Sequence, residues 1–378
     1  MGLVILIGIM NGLPKSEMGA AASVIREEIA RGGAVSFARF MELALYAPGC
    51  GYYERPREMG RRGDFFTSVS VGPVFGGLLA CQFAQWLENL APPGRWQIVE
   101  AGAHDGQLAL DILRWLRRRR PNVFAGLEYW VIEPSPVRRA WQEEKLGTEF
   151  ANVKWADGLC GQGLRRVRGV VFSNELLDAM PAHRLCWDAG GKQWLEWRVD
   201  YGGNGFVWQK GPLSKEAAAC LPDLPAGLEA VLPGDFVIEL SPAATQWWAR
   251  AAASLDGGKL LTLDYGLDGD EWLRPERPGG TLRAYAGQQV CGNILASPGN
   301  QDITAHVNFT ALRQAGEGAG LRTEGLVTQT KYLTDIFRRS LGDAAGSGEW
   351  TAARVRQFQT LTHPEHLGGR FRALIQAR

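Results

Sequence analysis

The residues with the clearest chemical potential lie in the stretch Glu100-Ala101-Gly102-Ala103-His104-Asp105-Gly106, where a carboxylate runs into a glycine turn. An apolar run from Trp96 to Ala101 leads in, and Leu108, Ile112, Leu113 and Leu116 follow at helical spacing. This pattern predicts strand, tight loop and helix. In an open α/β sheet a ligand sits where such a strand meets the helix N-terminus, and glycines let the backbone approach it. A dinucleotide pyrophosphate asks for Gly-x-Gly-x-x-Gly and free amide donors. Here the spacing is Gly-x-x-x-Gly, and Asp105 puts negative charge where a phosphate would lie. S-adenosylmethionine carries a sulfonium and an ammonium but no phosphate, so Glu100 and Asp105 suit it better, with a plain structural turn as the competing reading.

Further acids stand at other expected strand ends. Glu133 follows the run Glu128 to Ile132 and could accept both hydroxyls of a ribose, as the same position does for NAD, while an exposed loop acid is the bland alternative. Asp157 closes a third run, Val153 to Trp155. A fourth, Gly169 to Phe172, opens into Ser173-Asn174-Glu175-Leu176-Leu177-Asp178. If a helix starts there, the i, i+3 spacing puts Glu175 and Asp178 on one face, where they could hold a guanidinium. Arginine stays charged below pH ~12, so carboxylates that localise its charge and align one nitrogen would help a methyl transfer. Equally, Asn174, Glu175 and Asp178 could simply cap a helix.

The elements that must position these groups follow from periodicity. Ala20 to Leu45 reads as helix interrupted at Gly32-Gly33; a turn-rich loop, Ala47 to Thr67, follows, then an apolar helix, Val74 to Leu90. This N-terminal region, residues 18–95, is expected to cover the ligand mouth as a lid. An α/β core of parallel strands and helical crossovers is expected over 96–183 and 235–378, with Asp235 to Leu240 opening its later unit and, from Asn308, a helix, a β segment near Leu326 to Thr330 and three helices. Between them, 184–234 switches to alternation around Gly190-Gly191 and Gly202-Gly203, predicting antiparallel hairpins whose Trp187, Trp194, Trp197 and Trp208 pack more readily than they bind.

Composition narrows the classes. With 378 residues, 46% hydrophobic and 21% charged, the chain has a full core, and a net charge of +1 gives no general pull toward nucleic acid or acidic membranes. The run Arg117 to Arg120 suits a helix C-terminus. The six cysteines form no Cys-x-x-Cys pair and the five histidines are scattered, so free thiols and no metal site are expected. Leu3 to Met10 is too short to span a bilayer and has the form of neither a secretory signal nor an Arg-rich transit peptide. A bacterial cytoplasm is the expected location, or the mitochondrial matrix in a eukaryote.

Longer motifs carry a resemblance. Met41-Glu42-Leu43-Ala44-Leu45-Tyr46 with Gly51-Tyr52-Tyr53, Gly63-Asp64-Phe65-Phe66-Thr67-Ser68, Asn174 through Pro181, Asp264-Tyr265-Gly266, Gly280 through Tyr285 and Asp302 through Phe309 occur in the order seen in the MidA-like family, which this chain resembles over nearly its whole length. The resemblance implies a class I, Rossmann-like methyltransferase sheet with an N-terminal helical lid, an antiparallel β insertion and a helical C-terminal portion. It implies S-adenosyl-L-methionine as cofactor, held by Glu100, Gly102, Gly106 and Glu133, with Gly63, Asp64, Thr67 and Ser68 on the lid side. Asn174, Glu175 and Asp178 would face the acceptor, an arginine of a protein partner such as a respiratory complex subunit.

Two departures bear on that site. The family's Gly-Pro-Gly-x-Gly becomes Gly102-Ala103-His104-Asp105-Gly106, and its Pro-Glu after Thr67-Ser68 becomes Val69-Ser70. A side chain at 104 restricts the turn, and the missing Glu removes an acid. A non-catalytic assembly factor of the same fold is therefore the alternative function, and a nicotinamide oxidoreductase the remote one.

Overall fold

The computed structural model describes residues 19–56, 67–90, 95–159, 164, 166–222, 224, 227–274, 276–287, 289–342 and 350–378. The chain opens with α1 (Ala20–Gly32), the short strand β1 (Val35–Ser36), α2 (Phe37–Tyr46) and α3 (Val74–Glu88). Next come β2 (Trp96–Ala101), α4 (Gln107–Arg119), α5 (Pro121–Ala125), β3 (Leu127–Ile132), α6 (Pro136–Leu146), β4 (Val153–Ala156) and β5 (Val167–Asn174). The hairpins are β6 (His183–Asp188), β7 (Gln193–Gly202) and β8 (Gly205–Gly211), followed by α7 (Lys215–Cys220) and β9 (Val237–Leu240). After α8 (Pro242–Ser254) and β10 (Leu255–Leu267) lie four short strands: β11 (Arg283–Ala286), β12 (Gln289–Val290), β13 (Asp302–Thr304) and β14 (Val307–Asn308). The chain closes with α9 (Phe309–Gly318), β15 (Arg322–Thr328), α10 (Gln329–Leu341), α11 (Ala352–Thr362), α12 (Leu367–Arg370) and β16 (Phe371–Ala377).

The main sheet has the order β15-β16-β10-β5-β2-β3-β4, with β14 beside β10. Strands β10, β5, β2, β3 and β4 are mutually parallel, and β16 runs antiparallel between β10 and β15. Parallel strands need helical crossovers that cover both faces, which is why β2, β3 and β5 read as nearly continuous apolar runs. One face packs on α3, α4 and α10 through residues such as Phe83, Ile112, Leu113 and Ile336; the other packs on α8 and α9 through Trp248 and Leu312. All the parallel strands of the sheet therefore end on one side, which is where the acids named above collect.

Four expectations are corrected. Helix α3 is buried on nearly every side and packs against α4, where a β-carbon at Gly76 would lie 2.6 Å from Asp111 Cβ. A helix apolar all round belongs in the core, so this part of 18–95 is a layer of the fold and not a lid. The strand near Asp235 to Leu240 does not join the parallel sheet: β9 pairs antiparallel with β6 in the hairpin sheet, which also takes in β1 from the N-terminal region. No helix starts after Asn174: Glu175 turns to φ 50°, in the left-handed region, and Glu175 N and Leu177 N bond across to Leu263 O at 3.0 Å and Asp264 Oδ2 at 2.9 Å on β10. The C-terminal portion, expected from Asn308 as helix, a β segment near Leu326 to Thr330 and three helices, follows that order as α9, β15 and α10 to α12 but ends in an unexpected strand, Phe371–Ala377, buried on both sides; a short apolar run has no period that separates buried strand from helix.

The four hairpin tryptophans pack. Trp187 and Trp194 fill the small core under β6 and β9, and Trp208 lies 5.1 Å, centroid to centroid, from Phe37 and 5.9 Å from Trp197. At the end of α4, Arg117 and Arg114 pair with Glu149 rather than standing free. Among the described residues no helix is long and apolar enough to cross a membrane.

Candidate active site

At the carboxyl end of the parallel strands lies a cavity of about 1770 Å³, bounded by the loop after β2, the loop after β3, the end of β5, the N-terminal half of α8 and the segment from Tyr46 to Glu54. Pockets for single small ligands run to about 300 to 1,000 Å³, so this one has room for a cofactor and part of an acceptor. Glu100, Gly102, Asp105, Glu133, Asp157, Thr67, Asn174 and Glu175 all line it. Gly106 and Ser68 stand behind the wall, Asp178 is buried just outside the lining, and Gly63 and Asp64 lie outside the described residues.

Glu100 closes β2 as a buried carboxylate. Burial pushes its pKa up to about 7, against a hydrogen bond of 2.6 Å donated by Tyr129 Oη, with Asp105 adding to the rise. The following turn uses Gly102 at φ 78° and Gly106 at φ 84°, both in the left-handed region. A β-carbon at Gly102 would come 2.9 Å from Leu176 Cδ1, so the glycine also keeps the loop pressed against the strand end of β5. His104 stands at φ 48°, a conformation that histidine visits more readily than most residues but still at some cost.

Asp105 does not face the cavity as a free charge. Its carboxylate accepts from Gln107 N at 3.1 Å at the start of α4 and pairs with Lys145; burial opposes ionisation, but His104 and Lys145 outweigh it and hold the group well below the usual carboxylate range. Of these two acids, Glu100 is the one that no basic side chain among the described residues neutralises. Asp157, four-fifths exposed, pairs with Arg139 at the rim.

Helix α6 organises the next wall. Pro136 and the capping Ser135, whose Oγ accepts from Arg138 N, start the helix beside Glu133. Glu133 is 2% exposed, and its Oε1 accepts from Ser135 N at 2.9 Å and from Arg138 Nε at 2.9 Å. The wholly buried Gln142 ties the two loops together, donating to His104 O at 2.8 Å and to Glu133 Oε2 at 3.1 Å while accepting from Trp155 Nε1 at 3.1 Å.

The acids after β5 gather by a different route from the one the spacing suggested. Glu175 leaves the strand at φ 50°, and its Oε1 accepts from Ser68 N at 3.2 Å and Asn174 Nδ2 at 3.1 Å. Burial first, then Asp178, pushes its pKa up to about 8. Asp178 and Asp264 are buried beside each other and both are held above the carboxylate range, first by burial; for Asp178 the neighbouring Asp264 and Asp302 add to it. Among the described residues no basic side chain pairs with Glu175, Asp178 or Asp264, and two buried oxygens, Asp178 Oδ1 and Asn174 Oδ1, have no partner. Unpaired buried acceptors of this kind cost about 1 to 3 kcal/mol each, which a bound donor group would recover.

Sequence reasoning placed Asp264 at a strand end beside the ligand edge but gave it no role, and it missed Asp302, Tyr46 and Tyr53 as members of this wall. Tyr53 Oη donates to Asp302 Oδ1 at 2.7 Å, Tyr46 Oη donates to Ala179 O at 3.0 Å, and the two rings stack 5.4 Å apart. Asp302 sits on β13, far along the chain, and nothing local marks it.

Residues 78–327 match a family described as "Putative S-adenosyl-L-methionine-dependent methyltransferase". This chain belongs to that family. It is 31% identical to a COG1565 superfamily member from Burkholderia thailandensis whose crystal structure holds S-adenosyl-homocysteine, with a TM-score of 0.80 over 95% of this chain and 92% of that one. Among curated proteins it is 26% identical to the mitochondrial protein arginine methyltransferase NDUFAF7 homolog of Drosophila melanogaster, over 95% of this chain and 85% of that one. It is 27% identical to protein arginine methyltransferase NDUFAF7 of Mus musculus, over 90% and 80%. The cofactor is thus S-adenosyl-L-methionine, and the fold is that of a methyltransferase.

The donor set fits this cofactor. A buried acid at the end of β2 can meet a cation, a second buried acid at the end of β3 can accept from hydroxyl groups, and Leu159, Ile132 and Pro134 offer apolar surface for a ring. Val69 and Ser70 hold the positions where the resemblance puts Pro and Glu; Ser70 Oγ accepts from Thr67 N at 3.0 Å and donates to Thr67 O at 2.8 Å, and Ser70 N donates to Thr67 Oγ1 at 3.1 Å, closing the turn without an acid.

Proposed function

We propose that the enzyme transfers a methyl group to an arginine side chain of a protein partner. The observation that carries this reading is the set of buried carboxylates around Glu175, Asp178 and Asp264 with no basic side chain paired to them and with Asp178 Oδ1 and Asn174 Oδ1 lacking donors. A guanidinium supplies a delocalised positive charge and five N–H donors in a plane, the complement of such a wall. The relatives are named as protein arginine methyltransferases, which supports the same acceptor class.

The bound cofactor supplies an electrophilic methyl group on cationic sulfur. Glu100 holds the positive end of the donor, and Glu133 accepts from its hydroxyls. Asn174, on the cavity wall, orients the guanidinium edge-on, and Asp178, buried behind the wall, positions this segment. Glu175, whose proton affinity is raised to about 8, would take the proton that the attacking nitrogen loses as the carbon–nitrogen bond forms and the methyl–sulfur bond breaks, with the neutral thioether S-adenosylhomocysteine leaving. Most of the acceleration comes from alignment, for which about 7 to 11 kcal/mol is available in principle.

A respiratory complex subunit is the proposed partner, by the family resemblance, in a bacterial cytoplasm or a mitochondrial matrix. The test is methyl incorporation into arginine-containing proteins of a cell extract, with amino-acid analysis of the product. Wild type should yield methylarginine, and Glu175→Gln should lower it by about 10² to 10⁴ while donor binding stays within a few-fold. Label found on another residue type, or equal labelling by the variant, would remove the acceptor assignment.

A further inference from the structure

One guanidinium serves two nearly buried carboxylates beside the cavity. Arg138 Nε and Nη2 bind Glu133 Oε1 at 2.9 and 2.8 Å, whereas Arg138 Nη1 stops 3.6 Å from Glu54 Oε1, outside hydrogen-bond length. Ser135 bridges the same two acids, giving its N–H to Glu133 Oε1 and its Oγ–H to Glu54 Oε2, each at 2.9 Å. Glu133 Oε1 thus faces three donor atoms while Oε2 has only Gln142. A carboxylate oxygen has about two lone-pair directions, so Oε1 is saturated. A vicinal diol that uses both oxygens of Glu133 must compete with Arg138.

A guanidinium displaced from Glu133 has a second carboxylate less than 1 Å beyond bonding distance. Glu54 ends the short turn Tyr52–Glu54 and is next to Tyr53, which is bonded to Asp302 and stacked on Tyr46. Arg138 also lies over the Tyr46 ring, 5.9 Å from its centre. The segment from Tyr46 to Glu54 therefore touches the donor side through Arg138 and Ser135, and the acceptor side through Asp302 and Ala179.

We propose that Arg138 is a positioning residue that passes from Glu133 to Glu54 when donor hydroxyls occupy Glu133, so that a filled donor site tightens the Tyr46–Glu54 segment against the acceptor-side carboxylates. This rests on the reading of Glu133 as the residue that holds the donor. Donor binding then favours acceptor binding, because the displaced arginine adds an ion pair to a segment already bonded to Asp302 and Ala179 on the acceptor side. The mechanism needs a differential contact in the two states, and the Arg138–Glu54 pair supplies it.

The test is hydrogen–deuterium exchange on the full chain with and without S-adenosylhomocysteine, beside calorimetric binding of the same compound. In wild type the ligand should slow exchange across residues 50–56 by about tenfold, inside the 5- to 150-fold span usual for coupled sites. In Glu54→Gln the ligand should still bind within a few-fold, but the protection of 50–56 should disappear. Arg138→Lys, whose single ammonium cannot reproduce the two-pronged contact, should show intermediate protection. A merely structural role would loosen 50–56 equally with and without ligand, and that result, or full protection in Glu54→Gln, overturns the proposal. Undiminished affinity in Glu133→Gln would instead overturn the placement of the donor on Glu133, and the arginine transfer with it.

Discussion

Glu100 offers a test in which stability and binding must move in opposite directions. Its side chain is buried under the cavity, and its proton affinity is raised from the ordinary 4.5 to about 7. Between those values the folded protein binds more protons at this site than the unfolded chain. Stability from the group is therefore complete below pH ~4.5 and is lost as pH rises through ~7. At about 1.4 kcal/mol per tenfold change in proton affinity, the loss is about 3 kcal/mol. Glu100→Gln keeps the shape and the acceptor for Tyr129 Oη but has nothing to ionise. Urea unfolding should thus find the variant close to wild type at pH 5 and more stable by about 2 to 3 kcal/mol at pH 8. Binding of S-adenosylmethionine should behave oppositely. In wild type its affinity should rise about tenfold per pH unit up to ~7 and then level off, with about one proton released on binding, because only the ionised Glu100 meets the cation. In Glu100→Gln the affinity should be low and flat. A variant that is no more stable at pH 8, together with wild-type affinity independent of pH, would refute the assignment of Glu100 as the ionisable group under the donor.

The acceptor side should titrate separately: with the Glu175 carboxyl pushed up to about 8 and active as the base, kcat/KM for the acceptor should climb through pH 8 in wild type and lose that limb in Glu175→Gln, measured by initial rates of methyl incorporation. His104→Gly should relieve the left-handed conformation at φ 48° and tighten donor binding several-fold with stability changed by no more than about 1 kcal/mol, read by calorimetry and thermal unfolding. Gly316→Ala should destabilise by about 2 to 3 kcal/mol in urea, because its β-carbon would meet Gln376 Oε1 at 1.7 Å and dislodge a buried amide that accepts from Trp248 Nε1 and donates to Arg313 O and Thr323 Oγ1.

Much of the donor side was legible because it is local. A strand, a glycine turn and a helix at consecutive positions put Glu100 and Gly102 at one point, and the same grammar placed Glu133 after β3 and Asp157 after β4. Local pattern also misled where partners were distant. Asp105 reads as a charge for a ligand, but Lys145 on α6 neutralises it. Asp235 to Leu240 reads as a parallel strand, but its neighbour is the hairpin strand β6. The terminal run Phe371–Ala377 has an apolar composition that suits either a helix or a buried strand, and only the open slot between β10 and β15 decides.

The amino-acid order alone determined that this chain would build parallel strands with acids at their ends and a glycine turn that lacks the dinucleotide spacing. Tertiary structure alone decided which of those acids share one wall. Glu175 and Asp178 meet through a bend pinned by Asp264, not through a helical face, and Asp302 joins from β13 by way of Tyr53. Periodicity reports which face a residue turns to the core, whereas the proton affinity of a carboxylate depends on the charges and the water around it, and these are set by segments more than a hundred residues apart.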